Sequence, residues 1–142
     1  TITSGATISI IRTTNGTISY GNVDLNSSTS TLPSAINDVE TFQNDGTAAE
    51  QFSIKTSNAT SSGGTTWTVG AAAGSDIYVH SFTTTTSPTW QILNTVDTYE
   101  TASSSVAANG TLNFYMKIDT PTGSADYQQK SITVTVFAEA AP

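Results

Sequence analysis

Among side chains able to do acid–base or nucleophilic chemistry, the chain offers a single histidine, His80, and no cysteine. His80 stands in "DIYVHSF", with Tyr78 and Phe82 two positions to either side. A catalytic base needs a nucleophile within hydrogen-bond reach and a carboxylate to orient it. Ser81 falls on the opposite face of the same extended stretch and cannot serve, so a structural or surface histidine is the better reading. The HExxH and GxSxG motifs and a phosphate-cradling glycine loop are all missing from the sequence. The expectation is a protein that is not an enzyme, with no catalytic residue and no cofactor.

A metal site here would have to be built from oxygen ligands, which points to Ca²⁺. Asn37, Asp38 and Glu40 in "INDVE", and Asn44 and Asp45 in "QNDGT", bring such oxygens into two nearby turns. Asx residues in turns commonly bond their own backbone. Turn chemistry is therefore preferred, no metal ligand is assigned, and a Ca²⁺ site at either turn stays open.

Trp67 and Trp90, with Tyr78, Tyr99, Tyr115 and Tyr127, could form an aromatic platform for a sugar. Each tryptophan also has an apolar neighbour two positions on, Val69 and Ile92, which favours core positions. Four N-x-Ser/Thr sequons lie at Asn15, Asn26, Asn58 and Asn109. In a chain with about a third Ser plus Thr, roughly that number arises by chance, but their predicted turns permit N-glycosylation.

The elements that would position these groups are strands. Period-2 alternation dominates, clearest in "TLNFYMKID", where Leu112, Phe114, Met116 and Ile118 share one face. "SITVTVFAEA" does the same with Ile132, Val134, Val136 and Ala138. Further strands are predicted over residues 17–20, 38–43, 49–55, 65–69, 76–82 and 89–94, separated by Asn/Asp/Gly/Ser turns. Asn109-Gly110 is a hairpin signal, and residues 25–37 read as a long loop. About eight or nine short strands argue an all-β fold, a Greek-key/Ig-like or jelly-roll-like β-sandwich.

The 142 residues suit a single domain. Charged residues are 11% and the net charge is −7 with only four Lys plus Arg. Few cations remain for phosphate neutralisation or for an anionic membrane, so nucleic acid is not an expected partner. No run of about 18 apolar residues exists to span a membrane. A start at Thr1 without Met, with this Thr/Ser/Asn/Gly composition, suggests a mature secreted product whose signal peptide has been removed.

The opening "TITSGATISIIR" places Ile2, Ala6, Ile8 and Ile10 on one face, with Ser4 among them. The strand could pair at home, since Asn15-Gly16 offers a turn toward Ile18 and Tyr20. The alternative is that residues 1–12 leave their own domain, residues 13–142, and complete a neighbour's sandwich by strand addition. Such a head-to-tail contact builds an open filament. Burying three Ile side chains is worth about 5–9 kcal/mol before association costs, against about 8 kcal/mol for a micromolar contact.

In order and spacing, "NDGTAAEQFSIKTSN…TTWTVG…W…VAANGTLNFYMKIDTPTG…QQKSITVTVFAEA" resembles exported β-sandwich subunits of prokaryotic surface filaments. These are the TasA/camelysin-like biofilm fibre proteins and the archaeal bundling-pilus and thread subunits. The resemblance spans most of residues 1–138. It implies an extracellular or cell-surface fibre subunit for biofilm or adhesion, whose N-terminal strand, here Ile2, Ala6, Ile8 and Ile10, is donated to the next copy. The implied partners are copies of itself in a helical homopolymer, with neighbouring filaments or surface glycans beside them. The competing expectation is a non-catalytic carbohydrate- or surface-binding sandwich module of a cell-surface protein.

Overall fold

The computed structural model describes residues 6–142, and their regular structure is all strand. In chain order these are β1 (Ile10–Arg12), β2 (Ser28–Ser30), β3 (Glu40–Asn44), β4 (Glu50–Thr56), β5 (Thr68–Val69), β6 (Ile77–Thr83), β7 (Gln91–Ile92), β8 (Glu100–Val106), β9 (Thr111–Asp119) and β10 (Val134–Ala140). They form two sheets, one ordered β1-β3-β9-β6-β5, with β2 added on β9 and β7 on β6, the other ordered β10-β4-β8. The all-β sandwich predicted from alternation is present.

The core lies between the sheets. From β9 come Phe114, Met116 and Ile118, from β4 Phe52 and Ile54, and from β6 Tyr78 and Phe82, all buried. The alternation of β9 and β4 has an evident cause, because each is the central strand of its sheet and has one face on the core. β6 is buried along nearly its whole length, since it is flanked by β9 on one side and by β5 and β7 on the other.

Three expectations about local structure are corrected. Residues 17–20 do not form a strand; they belong to an irregular strap between β1 and β2. Two strands were not foreseen, β8 and the short β2 inside the predicted 25–37 loop. The Asn109-Gly110 turn is tight, with Asn109 at φ 63° and the Gly110 N–H donating to the Ala107 carbonyl at 2.8 Å. It is not a hairpin, because it carries the chain from β8 in one sheet to β9 in the other.

The β3–β4 turn crosses between the sheets in the same way, and Asn44 holds the two crossings together. Its backbone N–H donates to the Gly110 carbonyl and its carbonyl accepts from Asn109. Its side-chain amide donates to the Ala48 and Val106 carbonyls, while Oδ1 accepts the Gly46 N–H at 2.8 Å. Gly46 is needed for space. A Cβ there would overlap the Thr7 carbonyl oxygen and Glu50 Oε1. Gly46→Ala is expected to destabilise the protein by about 1–3 kcal/mol. Gly123→Ala, where a Cβ would meet nothing, should stay within about 0.5 kcal/mol. Urea unfolding midpoints of the two variants check this.

Candidate strand-binding groove

The sandwich is not closed along one side. Between β10 and the β1/β3 edge of the larger sheet runs a groove of about 980 Å³. Phe42, Phe114 and Met116 line it from one sheet, and Ile54, Val134 and Val136 from the other. Protein interiors rarely leave voids larger than a water molecule. The inward residues of β10 are accordingly only half-buried, and its outer edge pairs with no strand among the described residues.

The N-terminal segment reaches the groove at Arg12 of β1. β1 pairs antiparallel with β3 of its own chain, Ile10 opposite Asn44 and Arg12 opposite Phe42. The pairing continues outward, where the Thr47 N–H donates to the Thr7 carbonyl and the Asp45 N–H to the Ser9 carbonyl. Two buried carboxylates clasp this segment: Glu50 Oε1 accepts the Ser9 N–H at 2.8 Å, and Glu40 Oε2 accepts from the Thr14 hydroxyl and from the Gly16 N–H. The second oxygen of each carboxylate is buried without a hydrogen-bond partner. Of the predicted donor face, Ile2 lies outside the described residues, Ala6 is exposed, Ile8 is 51% exposed and Ile10 is half-buried against the core. Home pairing therefore satisfies the backbone of this strand better than it buries its apolar face.

The strap between β1 and β2 crosses the groove and inserts Ile18 and Tyr20 into it. The Tyr20 hydroxyl is hydrogen-bonded to His80 Nε2 at 2.7 Å, and Thr56 Oγ1 to His80 Nδ1 at 2.8 Å. Since Thr56 is on β4 and His80 on β6, this relay ties strap and both sheets together. His80 is 2% exposed. Burial lowers its pKa from 6.5 to about 4. Burial also pushes the Tyr20 phenol far above its ordinary range and Tyr78 up to about 12.

Along the same groove, Lys130 and Asp126 join the 57–67 and 124–131 loops. The Lys130 ammonium donates to Asp126 Oδ2, to the Thr65 carbonyl and to Ser61 Oγ, and lies 5.2 Å over the Trp67 ring. The Lys130 hydrogen bond, helped by the Gln128 N–H, lowers the Asp126 pKa to about 2.

The remaining candidates are scattered. Trp67 is half-buried against Ala59, Tyr78 and Ile118, with its indole N–H donating to Ser124 Oγ at 3.1 Å. Trp90 is half-buried near Lys117, far along the sheet, so the two tryptophans do not share one platform. The aromatic pair that does stand on an open face joins one of the expected residues, Tyr99, to Phe137, which was not among them. Their ring centroids are 5.3 Å apart, with Lys55 over Tyr99. Asn15, Asn26 and Asn109 are exposed, whereas Asn58 is half-buried and its Oδ1 accepts the Val69 N–H. In the two turns weighed for Ca²⁺, Asn44 and Glu40 are engaged as described, and no group of three or more acidic or His ligands converges among the described residues.

Comparison of the chain with protein-family models, curated proteins and solved structures finds no match.

Proposed function

We propose that the protein is a structural subunit of an extracellular filament that polymerises head-to-tail by donor-strand complementation. The observation that carries this reading is the open groove beside the unpaired β10 edge. The same molecule holds an apolar-faced strand that its own fold buries incompletely, with Ile8 half exposed. A second copy supplies what each lacks. An incoming strand can add backbone hydrogen bonds to β10 and place alternate side chains between Phe42, Phe114 and Val136. The occupant is residues 1–12 of another copy, and because donor and acceptor surfaces differ, each subunit leaves one of each free and the chain grows. The low charge of the chain keeps repulsion between stacked copies small.

Negative-stain electron microscopy of the full chain beside a version lacking residues 1–11 tests it. Filaments from the full chain, and a soluble but destabilised monomer from the truncated one, are the expected pair of results. A full-length protein that remains monomeric at high concentration at both pH 7 and pH 4 would overturn the proposal. If tryptophan fluorescence of that monomer then shifts with polysaccharide, the binding-module reading takes its place.

A further inference from the structure

The strap is attached to the rest of the molecule in an unusual way. Residues 18–23 make no backbone hydrogen bonds to other described residues, and the one hydrogen bond from any of them is Tyr20 hydroxyl to His80. Their other hold on the protein is the packing of Ile18 and Tyr20 into the groove. The segment that obstructs the groove is thus fixed by one polar contact to a buried, titratable ring.

We propose that Tyr20 and His80 form an acid-released latch, which keeps the strap over the groove at neutral pH and opens the groove to the strand of a second copy on acidification. The inference rests on the groove being the acceptor site. A neutral imidazole has one donor and one acceptor nitrogen. The hydroxyls of Tyr20 and Thr56 can each give or take a hydrogen bond, so the relay is satisfied in either tautomer. A second ring proton brings a full charge into a site that holds no counter-charge.

The groups facing the ring from each side are uncharged. They are Thr56 from β4, Tyr20 from the strap, Tyr78 on β6 itself, whose ring centroid is 5.8 Å away, and Ile118 across the ladder on β9. The charged groups that line the same groove are Arg12, Asp24, Glu40, Asp126 and Lys130, and Asp97 acts on Tyr78. None of these carboxylates forms an ion pair with the imidazole. Both sheets close the other sides of the ring, so water reaches a protonated His80 by displacement of the strap. Tyr20 then loses its hydrogen bond, and the unpaired edge of β10 and the apolar wall behind it become accessible together.

The test is NMR on the full-length chain at concentrations below assembly, following the His80 ring nitrogens and the Tyr20 ring from pH 7 to 3. The expected result is one shared midpoint, above the closed-state value of about 4 and below the free-imidazole value of 6.5, at which His80 gains its proton and Tyr20 leaves the groove while the amides of β9 stay in place. His80→Gln, which keeps a donor and an acceptor but does not titrate, should hold Tyr20 in the groove over that range. Tyr20→Phe, which keeps the ring and removes the hydroxyl, should raise the open population about tenfold at pH 7, the effect of one lost hydrogen bond. A synthetic peptide of residues 1–12 added to each protein should bind the wild type more tightly at pH 4 than at pH 7. It should bind Tyr20→Phe with little difference between the two.

If Tyr20 remains in the groove after His80 titrates, or if His80→Gln opens at the same pH as the wild type, the latch is refuted. A strap that opens on schedule while the groove refuses the peptide leaves the latch standing and refutes the acceptor-groove reading instead.

Discussion

Phe114→Ala is expected to cost about 3–5 kcal/mol of folding stability, the range for removing a large aromatic side chain from a core. Against a total of about 5–15 kcal/mol for a domain, the variant should lie near the edge of unfolding at 37 °C. The position explains the size of the effect. Phe114 is 1% exposed and stands edge-on to Phe42, with centroids 5.7 Å apart, and tilted against Phe82 at 6.2 Å. It is on β9, which joins β3 on one side to β6 on the other, so the loss is felt by three strands. It also lines the groove, where an added void cannot be closed by collapse of a packed neighbour. Phe137→Ala is the matched control. That ring is 45% exposed on the outer face of the smaller sheet with Tyr99 beside it, and its loss should cost about 1 kcal/mol or less. Denaturant unfolding of both variants measures the contrast; similar losses would mean that the groove-lining face is not the core.

What could be read from the sequence was the burial of side chains, and what could not was the pairing of strands. β9 was legible as a strand because its apolar residues Leu112, Phe114, Met116 and Ile118 share the core face of a central strand; the burial of Tyr115 on its other face was not signalled. Ile18 and Tyr20 alternate just as well, yet their strap has no ladder. Alternating insertion into a groove leaves the same pattern as a half-buried strand. β8 escaped notice for the opposite reason. Its run Ser103–Ser104–Ser105 shows no apolar period, because an edge strand needs only Ala102 and Val106 to face inward. Turn chemistry at Asn109-Gly110 announced a tight reversal correctly, but nothing local says which sheet receives the chain. The same limit applies to the groove and its relay. Tyr20 and His80 are 60 residues apart and Thr56 and His80 are 24, so their meeting depends on the sandwich as a whole. Spacing in the sequence favoured a structural or surface histidine; its place as the tie between strap and sheets could not be read there.

The buried relay also sets how stability should depend on pH. His80 has a lower pKa folded than unfolded, so between about pH 6.5 and 4 the unfolded chain binds more protons. Stability is then complete above pH 6.5 and is lost as the pH falls toward 4, by about 3 kcal/mol if the ring charges only on unfolding. Asp126, lowered to about 2, acts in a separate window, its contribution present above the ordinary aspartate pKa of 3.8 and lost only as the pH drops further toward 2. Tyr78, raised to about 12, removes stability at the opposite end, as the pH rises from 10 through 12. Urea unfolding at a series of pH values should therefore show a wild-type slope between pH 6.5 and 4 that His80→Gln abolishes, with both flanking windows intact. A slope that survives the substitution would locate the acid sensitivity elsewhere. The size of the slope also bears on the latch. If opening the strap costs less than charging the ring in place, the native protein takes up the proton by local release. The global loss is then smaller than about 3 kcal/mol and its midpoint higher than pH 4. A full-sized loss would mean that strap and core come apart only together.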